Sequence, residues 1–291
     1  MNVDCAPPSV PDLTTWIGRT ETTRGCLSAE AAAMAHATLA TPGTPCPTAD
    51  EALPLLWHWY AFPPTAPMQD LGEDGHPRLG GFLPPVPYER RMWASGALRF
   101  HQPLHVGEPI EKRSRIANLV EKSGSAGGMV FVSVDHALHG TNGLAITERQ
   151  EIVYLPIAPE FRPPAKRPGP SDNLLIDRKV AVSPPLLFRY SAITFNAHRI
   201  HYDLDYARTV EHYPGLVVHG PLQANLLMAE AVRLKGRTPT AFRFRGVHPM
   251  FHDSDLMLRG VAGEGDALDL CTVADPGHIG MTATASWEDL E

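Results

Sequence analysis

The sequence predicts an α+β fold built in two halves, each a helix followed by several antiparallel strands. Three observations carry that prediction. Val130, Val132, Val134, His136 and Leu138 alternate with Phe131, Ser133, Asp135 and Ala137, the period of two of a half-buried strand. Leu222, Leu226 and Ala229, and beside them Leu227, Ala231 and Leu234, recur at helical spacing. Residues 157–172 hold five prolines and little to bury, as a linker does. The chain therefore divides into an N-terminal domain over 1–156, a linker over 157–172 and a C-terminal domain over 173–291.

In the first half, residues 27–40 read as a helix, with Ser28 as N-cap before an alanine-rich run. Residues 42–90 are rich in Gly, Pro and aromatics, and only Leu53–Phe62 suggests regular structure. Strand-like runs follow near 110–120, 130–138 and 144–155, with K-S-G-S-A-G-G and H-G-T-N-G as the turns between them. In the second half the helix spans 220–234. Strand-like runs near 241–248, 255–263, 266–274 and 278–287 are split by G-E-G-D and D-P-G-H turns. The strings P-L-H-V-G-E (103–108) and P-M-F-H-D-S (249–254) each stand just before a strand series, a faint echo of duplication.

Bulk composition narrows the function. A net charge of -7 argues against a general nucleic-acid binder, which needs clustered Lys and Arg to neutralise phosphate. No apolar run approaches the length of a membrane span, and the N-terminus lacks a signal-peptide pattern. The four cysteines show no framework spacing, so reduced thiols in a cytoplasmic protein are expected. No G-x-G-x-x-G or P-loop string is present, and no cofactor is expected.

The chemistry-bearing residues crowd two strings. Residues 194–206 read T-F-N-A-H-R-I-H-Y-D-L-D-Y, and 213–224 read Y-P-G-L-V-V-H-G-P-L-Q-A. A clustered base beside a glycine at a helix start suits proton chemistry next to a bound carbonyl. His198 and His201 lie three apart, yet no H-E-x-x-H and no nearby cysteine accompanies them, so no metal is expected.

These strings resemble the hydratase motif of the MaoC-like enoyl-thioester hydratases. Within that group they are most similar to the type 2 3-hydroxyacyl-thioester dehydratases and the mesaconyl-C4-CoA and itaconyl-CoA hydratases. W-I-G-R-T-E-T (16–22), G-H-P-R-L-G-G-F-L-P-P-V-P (75–87) and E-R-R-M-W-A-S-G (89–96) extend the match over nearly the whole chain. The resemblance implies a tandem hotdog fold, each half a helix packed on a curved antiparallel sheet. It also implies an acyl-CoA substrate and reversible addition of water to its conjugated double bond. Itaconyl-CoA or mesaconyl-C4-CoA, giving citramalyl-CoA, is the favoured pair. The first half, lacking its own F-N-A-H-R-I-H string, is expected to be a non-catalytic partner. The tandem chain is expected to be self-sufficient or to pair as a homodimer.

His201 matches the family histidine, and its ordinary pKa of about 6.5 suits a proton carrier in both directions. Asn196 stands where the wider group has an aspartate. An amide is no base, so it either orients the water or serves as a turn residue. Gly220 resembles the glycine that starts the long hotdog helix, as oxyanion donor or as a site of close helix–strand packing. Arg199 either meets a substrate carboxylate or CoA phosphate, or pairs with Asp203 or Asp205, residues expected to cap a helix or complement its dipole. His198 and His219 are expected at the acyl pocket, His219 alternatively in the core. Arg90 and Arg91 are placed on CoA phosphates or in surface salt bridges. Trp57, Trp59 and Trp93 are expected to pack the core or the domain interface. Two other functions stay open: a hotdog thioesterase, which would release free thiol, and a non-catalytic acyl-CoA binder, which would bind without turnover.

Overall fold

The computed structural model describes residues 12–41, 43–124, 127–274 and 277–288. Cys5, the N-terminal segment and parts of the turns near 122–128 and 275–278 lie outside these. Ten strands form one antiparallel sheet: β1 (Thr20–Gly25), β2 (Arg90–Phe100), β3 (Ile110–Gly124), β4 (Gly127–Gly140), β5 (Gly143–Leu155), β6 (Ile176–Val180), β7 (Ala241–Gly246), β8 (Leu256–Ala262), β9 (Ala267–Ala274) and β10 (His278–Ser286). Their spatial order is β1-β3-β4-β5-β2-β7-β10-β9-β8-β6. Read inward from each edge, the two halves have the same order, β1-β3-β4-β5-β2 and β6-β8-β9-β10-β7. They join where β2 pairs with β7, for example Ser95 with Arg245 and Gly96 with Phe244. A Cβ on Gly96 would lie 2.5 Å from the Phe244 ring, so glycine is what lets the central strands meet.

The echo at 103–108 and 249–254 marks equivalent places. Each string precedes the third strand of its half, and each forms an isolated antiparallel bridge, His105 to Ala52 and Phe251 to Val217. Periodicity located β3–β5 and β7–β10. It did not single out β1, β2 or β6. β1 and β6 are short edge strands, and β2 carries Arg, Ser and Gly across the junction between halves.

Helix α1 (Ala29–Leu39) starts where Ser28 Oγ accepts the Ala31 N–H at 3.2 Å. Its counterpart is α2 (Pro184–Thr194), which follows β6 as α1 follows β1, and the two helices pack together. After the six-residue α3 (Leu204–Thr209) comes the long α4 (Gly220–Lys235), closed by Gly236 in the left-handed region. Leu222, Leu226, Leu227 and Ala231 are buried as their spacing predicts, whereas Leu234 is exposed. α4 also buries Gln223, Asn225 and Glu230, the marks of a helix enclosed on most sides. It packs on β8, β9 and β10. In the first half the matching position, counted from the Ala52 and Val217 bridges, holds only a 3₁₀ turn, Trp57–Ala61. Trp59, Trp93 and Phe244 contact one another edge-on across the junction, as expected for interface aromatics. No described helix is long and apolar enough to cross a membrane.

Candidate active site

The motif is shaped by a helix ending and restarting. Phe195 closes α2 in the left-handed region, and the Asn196 N–H donates to Ser191 O at 2.8 Å, as in a Schellman ending. Asn196 Oδ1 then accepts the His198 N–H at 3.0 Å. That is an Asx turn, so the amide oxygen is committed to the backbone and Nδ2 is the end left for water. One 3₁₀ turn, Arg199–His201, follows. Asp203 Oδ1 caps α3 by accepting the Tyr206 N–H at 3.0 Å, the expected capping role.

His201 is buried, and its Nδ1 lies 2.7 Å from Val217 O. A carbonyl can only accept, so Nδ1 carries the proton and Nε2 carries the lone pair. Burial, then the neighbouring His219 and His198, hold its pKa well below the usual 6.5. The resting imidazole is therefore a neutral base of fixed tautomer. The His219 ring stacks on it at 3.6 Å and 18°. His219 Nε2 bonds Ser191 Oγ at 2.9 Å, and its buried Nδ1 has no partner. Burial, aided by His198, pushes His219 down to about 3.

His219 immediately precedes Gly220, the first residue of α4, so the base lies beside a helix N-terminus. First-turn amides have no intrahelical acceptor and carry the positive end of the dipole. A Cβ on Gly220 would meet Met281 Cε at 3.8 Å and Trp93 O at 3.9 Å, ordinary contacts. Close helix–strand packing therefore does not account for the glycine.

The first half reaches this site through residues 72–76. The Arg199 N–H donates to Asp74 O at 2.9 Å. Gly75, at φ 88, rests so tightly on Ala197 that a Cβ would fall 1.9 Å from its carbonyl oxygen. Asp74 Oδ2 meets His76 Nδ1 at 2.7 Å, and the His76 ring lies 4.1 Å from that of His198. Burial opposes ionisation of Asp74, but the hydrogen bond and charge of His76 outweigh it and lower the carboxyl to about 2. His76, His198, His201 and His219 thus form a continuous row of rings.

Three expected ligand contacts turn out to be internal. Arg90 Nε donates to buried Glu211 Oε2 at 3.1 Å, its Nη2 donates to Glu211 O at 2.6 Å, and its guanidinium lies over Tyr213. Its pair is buried rather than a surface salt bridge, and it ties β2 to the motif region. His198 Nε2 faces the other Glu211 oxygen at 3.2 Å, so this nitrogen is engaged away from any acyl group. Arg199 pairs with Asp203 at 2.8 Å, donates to Glu73 O and lies over Tyr206. The salt bridge to Asp203 is the alternative that holds.

Asp74, His76 and His198 have ligand-type atoms within 4.8 Å of one another. Asp74 is hydrogen-bonded to His76 and His198 to Glu211, which accounts for the cluster without an ion. The cavity of about 660 Å³ flanking α4 is lined by Leu53, Leu56, Trp57, Leu226, Met228 and Val232, among others. His201, Asn196 and Gly220 do not line it. The chemistry is located by its side chains, not by this cavity.

Comparison with known proteins now decides the family. The family model for hydroxyacyl-thioester dehydratase type 2 matches residues 56–252. The chain is 45% identical over 278 residues to the mesaconyl-C(4)-CoA hydratase of Chloroflexus aurantiacus, covering 95% of this chain and 98% of that protein. This chain belongs to the hydroxyacyl-thioester dehydratase type 2 family. A solved MaoC-like dehydratase superposes with a TM-score of 0.70 at 15% identity, over 95% of this chain and 100% of that one. A Mycobacterium tuberculosis protein described as having a double hotdog fold superposes with a TM-score of 0.56 at 15% identity, over 93% and 96%. The fold is a double hotdog, and this member of the dehydratase family is a hydro-lyase.

Asp74, His76, Ser191 and Glu211 were missed when the dehydratase motif was read from sequence. Only His76 left a trace, inside the string at 75–87 counted toward the resemblance. Glu211 lies between the two motif strings and shows its importance only when folding buries it against Arg90 and His198.

Proposed function

We propose that this hydro-lyase adds water reversibly across the double bond of a short dicarboxylic enoyl-CoA, with mesaconyl-C4-CoA or itaconyl-CoA as substrate and citramalyl-CoA as product. One observation carries the reading: His201 is a buried neutral imidazole with its Nδ1 proton tied to Val217 O, and it stands beside the N-terminus of α4. In the proposed mechanism itaconyl-CoA is first converted to mesaconyl-C4-CoA by moving a proton from the α-carbon to the terminal methylene. In the proposed step on mesaconyl-C4-CoA, His201 Nε2 takes a proton from water while the hydroxyl oxygen bonds the β-carbon. The charge moves to the thioester oxygen, where the Gly220 N–H and the α4 dipole meet it. The proton then passes from His201 to the α-carbon, leaving a hydroxyacyl-CoA. Asn196 Nδ2 holds the water, because a carboxylate is lacking at this position and Oδ1 is already used.

The substrate assignment draws on the 45% identical Chloroflexus aurantiacus protein, a mesaconyl-C(4)-CoA hydratase. The test is a spectrophotometric screen of itaconyl-, mesaconyl-C4- and crotonyl-CoA, with free thiol measured in parallel. Loss of enoyl absorbance without thiol release supports hydration, and thiol release would mean hydrolysis. Unchanged turnover in folded His201→Ala would overturn the proposed mechanism.

A further inference from the structure

The dicarboxylic reading leaves a question of charge. A free carboxylate on the acyl group needs a cation near the thioester, yet Arg90 and Arg199 are already paired with Glu211 and Asp203. Arg91 differs. It is half-buried on β2, and among the described residues no carboxylate lies within ion-pair distance of it. A half-buried guanidinium without an anion is unusual, because desolvating the charge costs free energy that a partner normally offsets.

Its surroundings suit an anion. The β2–β5 register sets Arg91 directly opposite Tyr154. Tyr154 is fully buried, and its hydroxyl, which forms no well-aligned hydrogen bond among the described residues, has the Arg91 guanidinium as its polar neighbour. A guanidinium beside a phenol leaves the cation with a neutral neighbour and no counter-charge, so its charge is still open to an anion. Burial raises the Tyr154 phenol and the Arg91 charge opposes that rise, which places the guanidinium close to it. The same charge reaches His76. Burial chiefly pushes that imidazole down to about 3, the bond to Asp74 opposes this, and Arg91 adds to the depression. Arg91 therefore stands beside the Tyr154 hydroxyl, and its charge is felt at the His76 ring that rests on His198.

Position separates the two kinds of anion that CoA thioesters offer. Trp93, two residues along β2, places its carbonyl oxygen 3.9 Å from where a Gly220 Cβ would stand. Two strand residues span roughly 7 Å. Arg91 is thus about one short acyl group away from the proposed oxyanion donor. The phosphates of CoA hang at the far end of the long pantetheine arm.

We propose that Arg91, with the Tyr154 hydroxyl beside it, receives the free carboxylate of a dicarboxylic acyl group and sets the preference for such substrates over uncharged enoyl-CoAs. The inference rests on the hydration reading above and supplies the specificity that Arg199 cannot. A planar guanidinium matches a carboxylate bidentately, which an ammonium does not.

The experiment compares wild type, Arg91→Met and Arg91→Lys. For turnover it reads the ratio of kcat/KM for mesaconyl-C4-CoA over crotonyl-CoA. For binding it reads calorimetric affinities for succinyl-CoA and butyryl-CoA, neither of which can be hydrated. Loss of two charge-assisted bonds is expected to lower the turnover ratio about 100-fold in Arg91→Met, with Arg91→Lys in between. The preference for succinyl-CoA should fall in the same order. Equal losses on charged and uncharged acyl groups, or an unchanged ratio, would overturn the assignment. If wild type hydrates neither substrate yet prefers succinyl-CoA and Arg91→Met loses that preference, the hydration reading fails while the carboxylate site stands. Should Arg91→Met not fold, Arg91→Lys carries the same comparison, and a wild-type ratio in that variant overturns the proposal.

Discussion

In the second half α4 runs sixteen residues over the sheet, whereas the matching place in the first half holds a five-residue turn. The strands are otherwise laid out in the same order. The same offset from the bridge residues Ala52 and Val217 leads to His58 in one half and Gln223 in the other. Both tie their segment to the sheet by a buried polar bond, His58 to Glu148 at 3.2 Å and Thr272 to Gln223 at 2.6 Å. Burial opposes ionisation of Glu148, yet His58, His136 and Gln150 together hold its carboxyl down at about 2. The two buried histidines therefore do different jobs. His58 is locked by a hydrogen bond to buried Glu148, whose carboxyl it helps hold low. His201 is oriented by a neutral carbonyl, which leaves its second nitrogen reactive. In the proposed mechanism, a long helix N-terminus beside a carbonyl-oriented imidazole is what makes one copy of the unit a site for chemistry.

The sharpest way to break this contrast is to remove both histidines in turn. His201→Ala should lower hydration by about 10²- to 10⁴-fold, the range for a lost acid–base group, with the far-UV spectrum retained. His58→Ala should spare chemistry to within a few fold and instead cost about 1–3 kcal/mol in denaturant unfolding, because buried Glu148 loses one bond and keeps those from Trp59 and Gln150. The reverse pattern would mean that the halves have been assigned the wrong roles.

Smaller effects sharpen the boundary between the halves. Gly75→Ala should dislodge residues 72–76 from Ala197, since it adds both a left-handed strain and a collision. A loss of about 1–3 kcal/mol in stability is expected, with a drop in kcat as the Asp74–His76 pair moves. Gly220→Ala should cost under about 1 kcal/mol, because its Cβ meets only ordinary contacts, yet raise KM by crowding the bound thioester. A KM unchanged in that variant would detach Gly220 from the substrate.

The pH dependence follows from the depressed imidazoles. The folded-state values of His201, His219 and His76 lie below the unfolded value of about 6.5. The unfolded chain thus binds more protons below that pH, and stability is retained above about 6.5 and lost as pH falls toward about 3. Because His201 is already neutral, kcat/KM should stay flat down through pH 6.5 and fall only in more acid solution. A limb centred at 6.5 would show that the base titrates as a free histidine. The smallest expected effect is that of Arg199→Met. It breaks a part-exposed pair worth about 0.2–1 kcal/mol and should leave the mesaconyl-to-crotonyl preference in place.

What could be read in advance divides along physical lines. Strands β3–β5 and β7–β10 and helix α4 announce themselves because burial imposes a period on their own residues. β1 and β6 are short edges, and α2 begins on two prolines, so little local pattern marks them. His201 and Gly220 were legible because the whole string around them resembles a known motif. The partners of Arg90, His198 and Arg199 were not. Each depends on an acid or carbonyl whose proximity is set by packing, and for Arg90 the partner Glu211 lies 121 residues away.

The sequence by itself determined the duplicated α+β architecture and the family motif, and it pointed to His201 as the proposed proton carrier, since these rest on local periodicity and on an uninterrupted string. Only the tertiary structure decided which nitrogen of His201 is free, that Arg90 and Arg199 are paired with acids while Arg91 has no described carboxylate in ion-pair range, and which loop of the first half meets the motif. Those outcomes depend on distances of a few ångströms between segments far apart in the chain, and no local pattern encodes them.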